Sequence, residues 1–267
     1  MKYLDLTFDN PAANLACDEA LLELHEATDT DDALLRIWES GSHFIVLGHS
    51  NRWRSEVNPA SCAANRIPIL RRLSGGGAVM QGPGCLNYCL VLNSRAHRLR
   101  NIGETFNYVL ECHRRVVEAL IGAETRIEGI SDLTVAGRKF SGNAQYRKAS
   151  YVLVHGTFLL NFDLPMIERF LRPPTKQPDY RQDRPHLEFI TNLNLNSAQV
   201  RDSLRNTWNA AEEFSAVPLS RIHALERERY GREEWSTKFY TGRVYQVFSF
   251  CCVSPLSPES TLITADT

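Results

Sequence analysis

The stretch RRLSGGGAVMQGPG, Arg71 to Gly84, sets two arginines at the end of an apolar run and follows one serine with three glycines. Glycine reaches φ > 0 without a Cβ clash, but each one in a row adds backbone entropy that folding must remove. Bare backbone lets a phosphate or a nucleotide lie against closely spaced N–H groups, and a guanidinium adds a fixed fork for anionic oxygens. The pattern is neither a P-loop, which ends in Gly-Lys-Ser/Thr and opens a helix, nor GxGxxG. A tight strand-to-strand turn explains the glycines equally well. A second stretch, SDLTVAGRKFSGNAQ from Ser131 to Gln145, places Lys139 among Gly137, Ser141 and Gly142. A lysine on a strand among small residues can point into a cleft, where its compact charge suits a phosphate or a carboxylate in transit. It can also stand on a solvated face. Asp132 taken alone reads as a turn residue, and His155 in HGT as a core histidine.

The elements around these stretches follow from periodicity. KYLDLTF alternates as a strand, and Asn10-Pro11 gives an N-cap with proline at the first helical position of PAANLACDEALLELHEA. That helix carries Leu15, Leu22 and other apolar residues on one side. ALLRIWE, HFIVLG and IPILRRL are short strands, the last leading directly into the glycines. CLNYCLVL puts Leu86, Tyr88, Leu90 and Leu92 on one face, with polar or small residues on the other. Phe106, Val109, Leu110, His113, Val116, Val117, Leu120 and Ile121 recur at helical spacing, and Gly122 closes that helix. DLTVAGRKF, NAQYRK and SYVLVHGTFLL read as strands, with Ala136-Gly137 as a hairpin turn. LPMIERFL is a short helix, Arg172 to Arg184 a loop rich in proline and charge, and Ser197 to about Tyr230 helical. Strands interleaved with a few helices indicate an α+β fold with a mixed, mainly antiparallel sheet and flanking helices.

Composition removes several classes of function. The chain has 267 residues, 43% hydrophobic, with a net charge of -1. It has no global basic field for nucleic acid or anionic lipid, and no window approaches the ~20 apolar residues of a membrane span. MKYLDLTFDN reads as a strand and not as a signal or transit peptide. The seven cysteines, Cys17, Cys62, Cys85, Cys89, Cys112, Cys251 and Cys252, are odd in number and contain no CxxC. That favours reduced thiols in a cytoplasmic protein. Cys85 and Cys89 lack a second pair and make a poor zinc site, and no metal-ligand set is expected.

RRLSGGGAV, then DLTVAGRKFSGNAQ, then VLVHGTFLLNFDL together resemble lipoate–protein ligase A. NPAANLACDEALL, LLRIWE, VLG and FITNL at Phe189 to Leu193 resemble the same family. The resemblance runs from about Met1 to Leu193, and more weakly to about Phe239. It implies the catalytic-domain fold that lipoate ligases share with biotin–protein ligases and octanoyltransferases. That domain is expected over residues 1–240, with a tail lacking any element pattern over 241–267 and no accessory small domain. By the same resemblance, Arg72 and the backbone of Gly77, Ala78, Val79 and Met80 hold the nucleotide. Ser74, Gly75, Gly76, Asp132, Gly142, His155 and Gly156 shape the lipoate pocket. Lys139 is the catalytic residue, touching both the activated carboxyl and the α-phosphate.

The implied substrates are lipoate and ATP with Mg²⁺. Lipoyl-adenylate forms, and the lipoyl group passes to a lysine of a lipoyl-domain acceptor, either a 2-oxoacid dehydrogenase E2 subunit or the glycine cleavage H protein. A separate accessory polypeptide is an expected partner, because some relatives carry the small domain that way. The candidate internal lid is Arg172 to Phe189, with Lys176, Arg181 and Arg184 to cover phosphates or meet an acidic acceptor. Gln81 stands where many relatives have histidine, His49 where many have arginine, and Phe140 replaces an aliphatic residue. The alternative activity is octanoyl or lipoyl transfer from a carrier protein or from preformed lipoyl-adenylate. A thiol transferase needs a cysteine after the HG strand or just before GRK. Here those regions hold Pro173-Pro174-Thr175 and a cysteine-free run from Glu124 to Ser131.

Overall fold

The computed structural model describes residues 1–30, 32–174 and 176–238. The expected tail, Cys251-Cys252 within it, and Thr175 lie outside the described residues. Eleven strands are present among them: β1 Lys2–Asp5, β2 Leu34–Trp38, β3 Phe44–Leu47, β4 Ile69–Arg71, β5 Val79–Gln81, β6 Cys85–Asn93, β7 Thr125–Glu128, β8 Asp132–Val135, β9 Arg138–Arg147, β10 Tyr151–Leu159 and β11 Glu212–Glu213. The helices are α1 Pro11–Thr28, α2 Trp53–Glu56, α3 Pro59–Ala64, α4 Ile102–Ile121, α5 Pro165–Phe170, α6 His186–Phe189, α7 Ser197–Thr207, α8 Leu219–Leu225 and α9 Glu233–Thr237.

Eight strands form one sheet in the order β11-β1-β2-β6-β10-β9-β8-β7, and β4-β3-β5 form a second. Only the β1 pairings in the large sheet and β3–β4 in the small one are parallel. The fold is therefore α+β with a mainly antiparallel sheet. The long helix α4 starts at Asn101, whose side chain accepts from Glu104 N at 2.9 Å, and ends at Gly122 with φ 64°. Its apolar stripe, Phe106 to Val117, packs on Leu86, Tyr88, Leu90 and Leu92 of β6, together with Val200 and Leu204 of α7. Each such side chain contributes roughly 1.5–3 kcal/mol when buried.

The opposite face of β6 is buried too. Cys89 and Val91 pack with Leu34 and Trp38 against α1 and α8. A strand covered by helices on both sides thus replaces the one-sided strand suggested by alternation. The helix α1, capped by Asn10 as expected, is buried from Ala12 to Leu22. Its apolar residues are not confined to one side, because it lies between the sheet and α8. The segment from Ser197 to Tyr230 is not continuously helical. Asn209 adopts φ 48°, Glu212–Glu213 pairs beside β1, and α8 begins only after Pro218.

Ala136 and Gly137 both have positive φ, 49° and 71°, as a two-residue hairpin turn between β8 and β9 requires. The register of that hairpin slips between Leu133 and Thr134: Leu133 pairs with Ser141 and Thr134 with Lys139, leaving Phe140 as an extra residue. Such a bulge re-aims the neighbouring side chains. Lys139 also bridges Ile190 of the FITNL run.

Candidate active site

The glycine loop joins β4 to β5. Ser74 is buried below it, while Gly75, Gly76 and Gly77 are exposed. Gly76 has φ +90°, and a Cβ there would stand 2.8 Å from Arg72 Nη2. Only glycine fits that position. A Cβ at Gly75 or Gly77 would meet nothing within 4 Å. Those two are bare without an internal packing reason.

Arg72 is 8% exposed and lies under the loop. Its Nη2 donates to the carbonyls of Gly75 at 2.6 Å and Gly77 at 3.0 Å, and its Nε to Ser74 Oγ at 3.1 Å. In a trans peptide the carbonyl and the next N–H point in opposite directions, and no peptide bond here is cis. Turning these carbonyls onto the guanidinium therefore turns the N–H groups of Gly76 and Ala78 away from it. Among the described residues no carboxylate pairs with Arg72, and burial lowers its pKa to about 10, so it stays charged at neutral pH. Its neighbour Arg71 points elsewhere. It donates to the carbonyls of Gly48, Asn51 and Ser236, tying the chain near α9 to the base of the loop.

Across the cavity, Lys139 Nζ lies 2.7 Å from Asp132 Oδ1, with 26% of its side chain exposed. Its stem runs back along β9 over Gly142, where a Cβ would come within 2.8 Å of Nζ. Glycine at that position is what lets the lysine lie flat. The other oxygen of Asp132 accepts from Tyr180 OH at 2.7 Å. Burial and Asp132 push the Tyr180 phenol well up, so it remains a donor. The Pro-rich segment is thereby fastened to the lysine's own partner.

Two of the three cations expected to serve as a lid do other work. Arg181 is buried, stacks on Phe189 and donates to the Arg184 carbonyl at 3.0 Å. Arg184 donates to the carbonyls of Tyr180, Arg181 and Gly137. Both hold loop backbone in place. Lys176 is exposed and lines a cavity.

Two adjoining cavities occupy the site. The narrow one, of ≈ 170 Å³, is lined by Arg72, Trp38, Tyr88, Gln81 and His155 among others. The wide one, of ≈ 760 Å³, is lined by Met80, Phe140, Tyr180 and Ile190 among others. Gly77, Ala78, Val79, Asp132, Lys139 and Gly142 border both. Gly76, His155 and Gly156 border only the narrow cavity, and Met80 only the wide one. Ser74 and Gly75 line neither; they lie beneath and beside it. Gln81 Nε2 donates to Thr157 Oγ1 at 2.7 Å, and Thr157 donates onward to Asn87.

His155 is bound at both ring nitrogens, Nε2 to Ser74 Oγ at 2.5 Å and Nδ1 to Asp18 Oδ2 at 3.1 Å. Asp18 in turn pairs with the fully buried Arg36 at 2.6 Å. Asp18 was not singled out from the sequence. The available signal was two adjacent acids, Asp18 and Glu19, inside the apolar run LACDEALL and a lone base inside LLRIW, since buried charges occur in pairs. Asn143, which accepts from Tyr88 OH at 2.7 Å on the cavity wall, gave no such signal.

The description "Lipoyl protein ligase A/B catalytic domain" belongs to the family profile that matches residues 10–205, and this chain is a member of that family. The lipoate-protein ligase A relative of Aeropyrum pernix is 31% identical over 232 residues, covering 86% of this chain and 82% of its own. Lipoate-protein ligase LplJ of Bacillus subtilis is 24% identical over 244 residues, 85% of this chain and 70% of that protein. Octanoyltransferase LipM of Oceanobacillus iheyensis is 25% identical over 267 residues, 92% of each. In fold, the chain is similar to a bi-partite lipoate protein ligase of Thermoplasma acidophilum, with a TM-score of 0.75 at 22% identity over 91% of this chain and 99% of that one. It is also similar to a lipoate-protein ligase A bound with ATP, with a TM-score of 0.74 at 24% identity over 89% and 98%.

Proposed function

We propose that this protein attaches lipoate to a lysine of a lipoyl-domain acceptor by way of lipoyl-adenylate. The observation that carries this reading is the position of Lys139 where the two cavities meet. The narrow cavity suits an extended acyl chain and the wide one a nucleotide. Their shared border is where a carboxylate and an α-phosphate would come together. In the first step a lipoate carboxylate oxygen attacks the α-phosphorus of ATP, and pyrophosphate leaves with its Mg²⁺. In the second, the ε-amine of the acceptor attacks the acyl carbon, AMP leaves with the bonding pair, and the amine's extra proton is released. One ammonium can stabilise charge on the pentacovalent phosphorus first and on the tetrahedral acyl centre later. The N–H of Ala78, turned away from Arg72 on the wall that both cavities share, is a donor for the phosphate. Arg72 acts from below, as an uncompensated positive charge. Mg²⁺ arrives as part of the nucleotide complex; the described residues contain no cluster of three metal-ligating side chains.

Thiol catalysis is the less favoured reading. None of the described cysteines lines either cavity. Burial raises the thiol pKa of Cys17 to about 11 and pushes Cys89 well above its usual range, which opposes thiolate formation. The acceptor is a lipoyl-domain protein by analogy with the Thermoplasma system, whose structure was described with its E2 lipoyl domain. The test is incubation with lipoate, ATP, Mg²⁺ and a lipoyl-domain protein. Acceptor mass should rise by one lipoyl group while pyrophosphate appears. Modification that needs an acyl carrier thioester and no ATP, with a hydroxylamine-labile acyl group on the enzyme, would move the assignment to a transferase.

A further inference from the structure

We infer that Asp18 is a positioning residue of this site, acting on the glycine loop through His155 and Ser74; the inference rests on the ligase reading above. Five groups stand in file: Arg36, Asp18, His155, Ser74 and Arg72. The successive distances are 2.6 Å, 3.1 Å, 2.5 Å and 3.1 Å. With a neutral imidazole the file can be satisfied in only one sense. The Asp18 carboxylate, held by Arg36, offers acceptors only, so His155 carries its proton on Nδ1 and donates it there. Nε2 is then an acceptor and takes the Ser74 hydroxyl hydrogen. Ser74 Oγ has lone pairs left, and Arg72 Nε–H donates into one of them. The opposite neutral tautomer would set the Nδ1 lone pair against the Asp18 carboxylate, acceptor facing acceptor.

The file links three parts of the chain that enclose the narrow cavity. Asp18 is on α1, His155 on β10, and Ser74 and Arg72 at the root of the loop. It fixes the hydroxyl that holds Arg72 Nε, and the same guanidinium holds the carbonyls of Gly75 and Gly77. Through Ser74, the histidine thus braces the guanidinium that holds the loop's carbonyls. A Ser-His-Asp file also suggests a nucleophilic serine, but Ser74 is 1% exposed and lines neither cavity. Its hydroxyl is an internal strut.

The test uses ¹⁵N-histidine-labelled full-length protein. In the wild type, His155 should show a protonated Nδ1 and an unprotonated Nε2. Asp18→Asn removes the charge at constant shape, and should move the proton wholly or partly to Nε2 and weaken ATP binding about tenfold or more, the scale typical of lost orienting partners. Ser74→Ala leaves the buried Asp18–Arg36 pair intact and should weaken ATP binding similarly. The double variant should be no worse than the weaker-binding single, as expected of residues acting as a unit. If Asp18→Asn does not fold, Ser74→Ala alone carries the test through ATP binding and the His155 signal. A wild-type His155 protonated on Nε2, additive losses, or unaltered ATP binding in Ser74→Ala would overturn the inference. These readouts need no acyl transfer, so they fail separately from the ligase reading.

Discussion

Arg72 and Lys139 bring two positive charges to one cavity, and they are held in opposite ways. Arg72 is buried, and its donors go to backbone carbonyls and one hydroxyl. Lys139 is part-exposed, and its partner is a carboxylate that is itself bonded to the Pro-rich segment through Tyr180. A guanidinium clamped on carbonyls cannot follow a reacting group; it shapes the loop and supplies a fixed field. An ammonium in an exchangeable pair can leave Asp132 for an anion. The difference predicts that one charge is needed chiefly for structure and the other chiefly for chemistry, although both lie on conspicuous motifs.

Substituting each residue separates these roles. Lys139→Ala should lower acyl transfer by about a thousandfold or more, the upper range for losing one transition-state donor. Unfolding by urea should change by only ~1 kcal/mol, as for a part-exposed pair. Full activity in that variant would remove Lys139 from the reaction. Arg72→Ala should reverse the pattern in stability, costing about 2–4 kcal/mol because it removes a buried guanidinium together with its bonds to Ser74 and the loop carbonyls. An unchanged denaturation midpoint would show that the loop does not depend on this clamp.

The glycines sharpen the comparison on a smaller scale. Gly76→Ala should cost ~1–3 kcal/mol, since its φ of +90° is strained for alanine and its Cβ would press on Arg72. Gly75→Ala should change stability by no more than about 0.5 kcal/mol. Equal losses in thermal unfolding would contradict the different demands placed on the two positions. The smallest effect is expected from the cysteines. Replacing each one by alanine should leave turnover within about tenfold, because no described thiol reaches the cavities; a larger loss without unfolding would reopen thiol catalysis.

Much of this could be read before folding. The capped α1 and α4, the Ala136-Gly137 turn and the strand runs on either side follow from local rules. The two motifs were visible as unusual combinations of glycine with arginine or lysine. Three things were not legible. Phe140 looks like any other strand residue, yet it is the extra residue of the bulge, which arises from pairing with β8. Arg181 and Arg184 look like solvated cations, but the loop's carbonyls take them up. Asp18 and Arg36 are distant in sequence, and only the packing of α1 on β2 makes them partners.

The sequence by itself determined which positions had to be glycine-like, polar or apolar, because those demands are local: φ at Gly76, caps at Asn10 and Gly122, periodicity in α4. The same residues could not tell where each charge ends up. A guanidinium or an ammonium has the same formal charge in any context, and its role depends on what surrounds it. Tertiary structure decided that Arg72 faces carbonyls, that Lys139 lies over Gly142 toward Asp132, and that Asp18 stands behind His155. Those contacts bring together residues from separate elements, so no local rule encodes them.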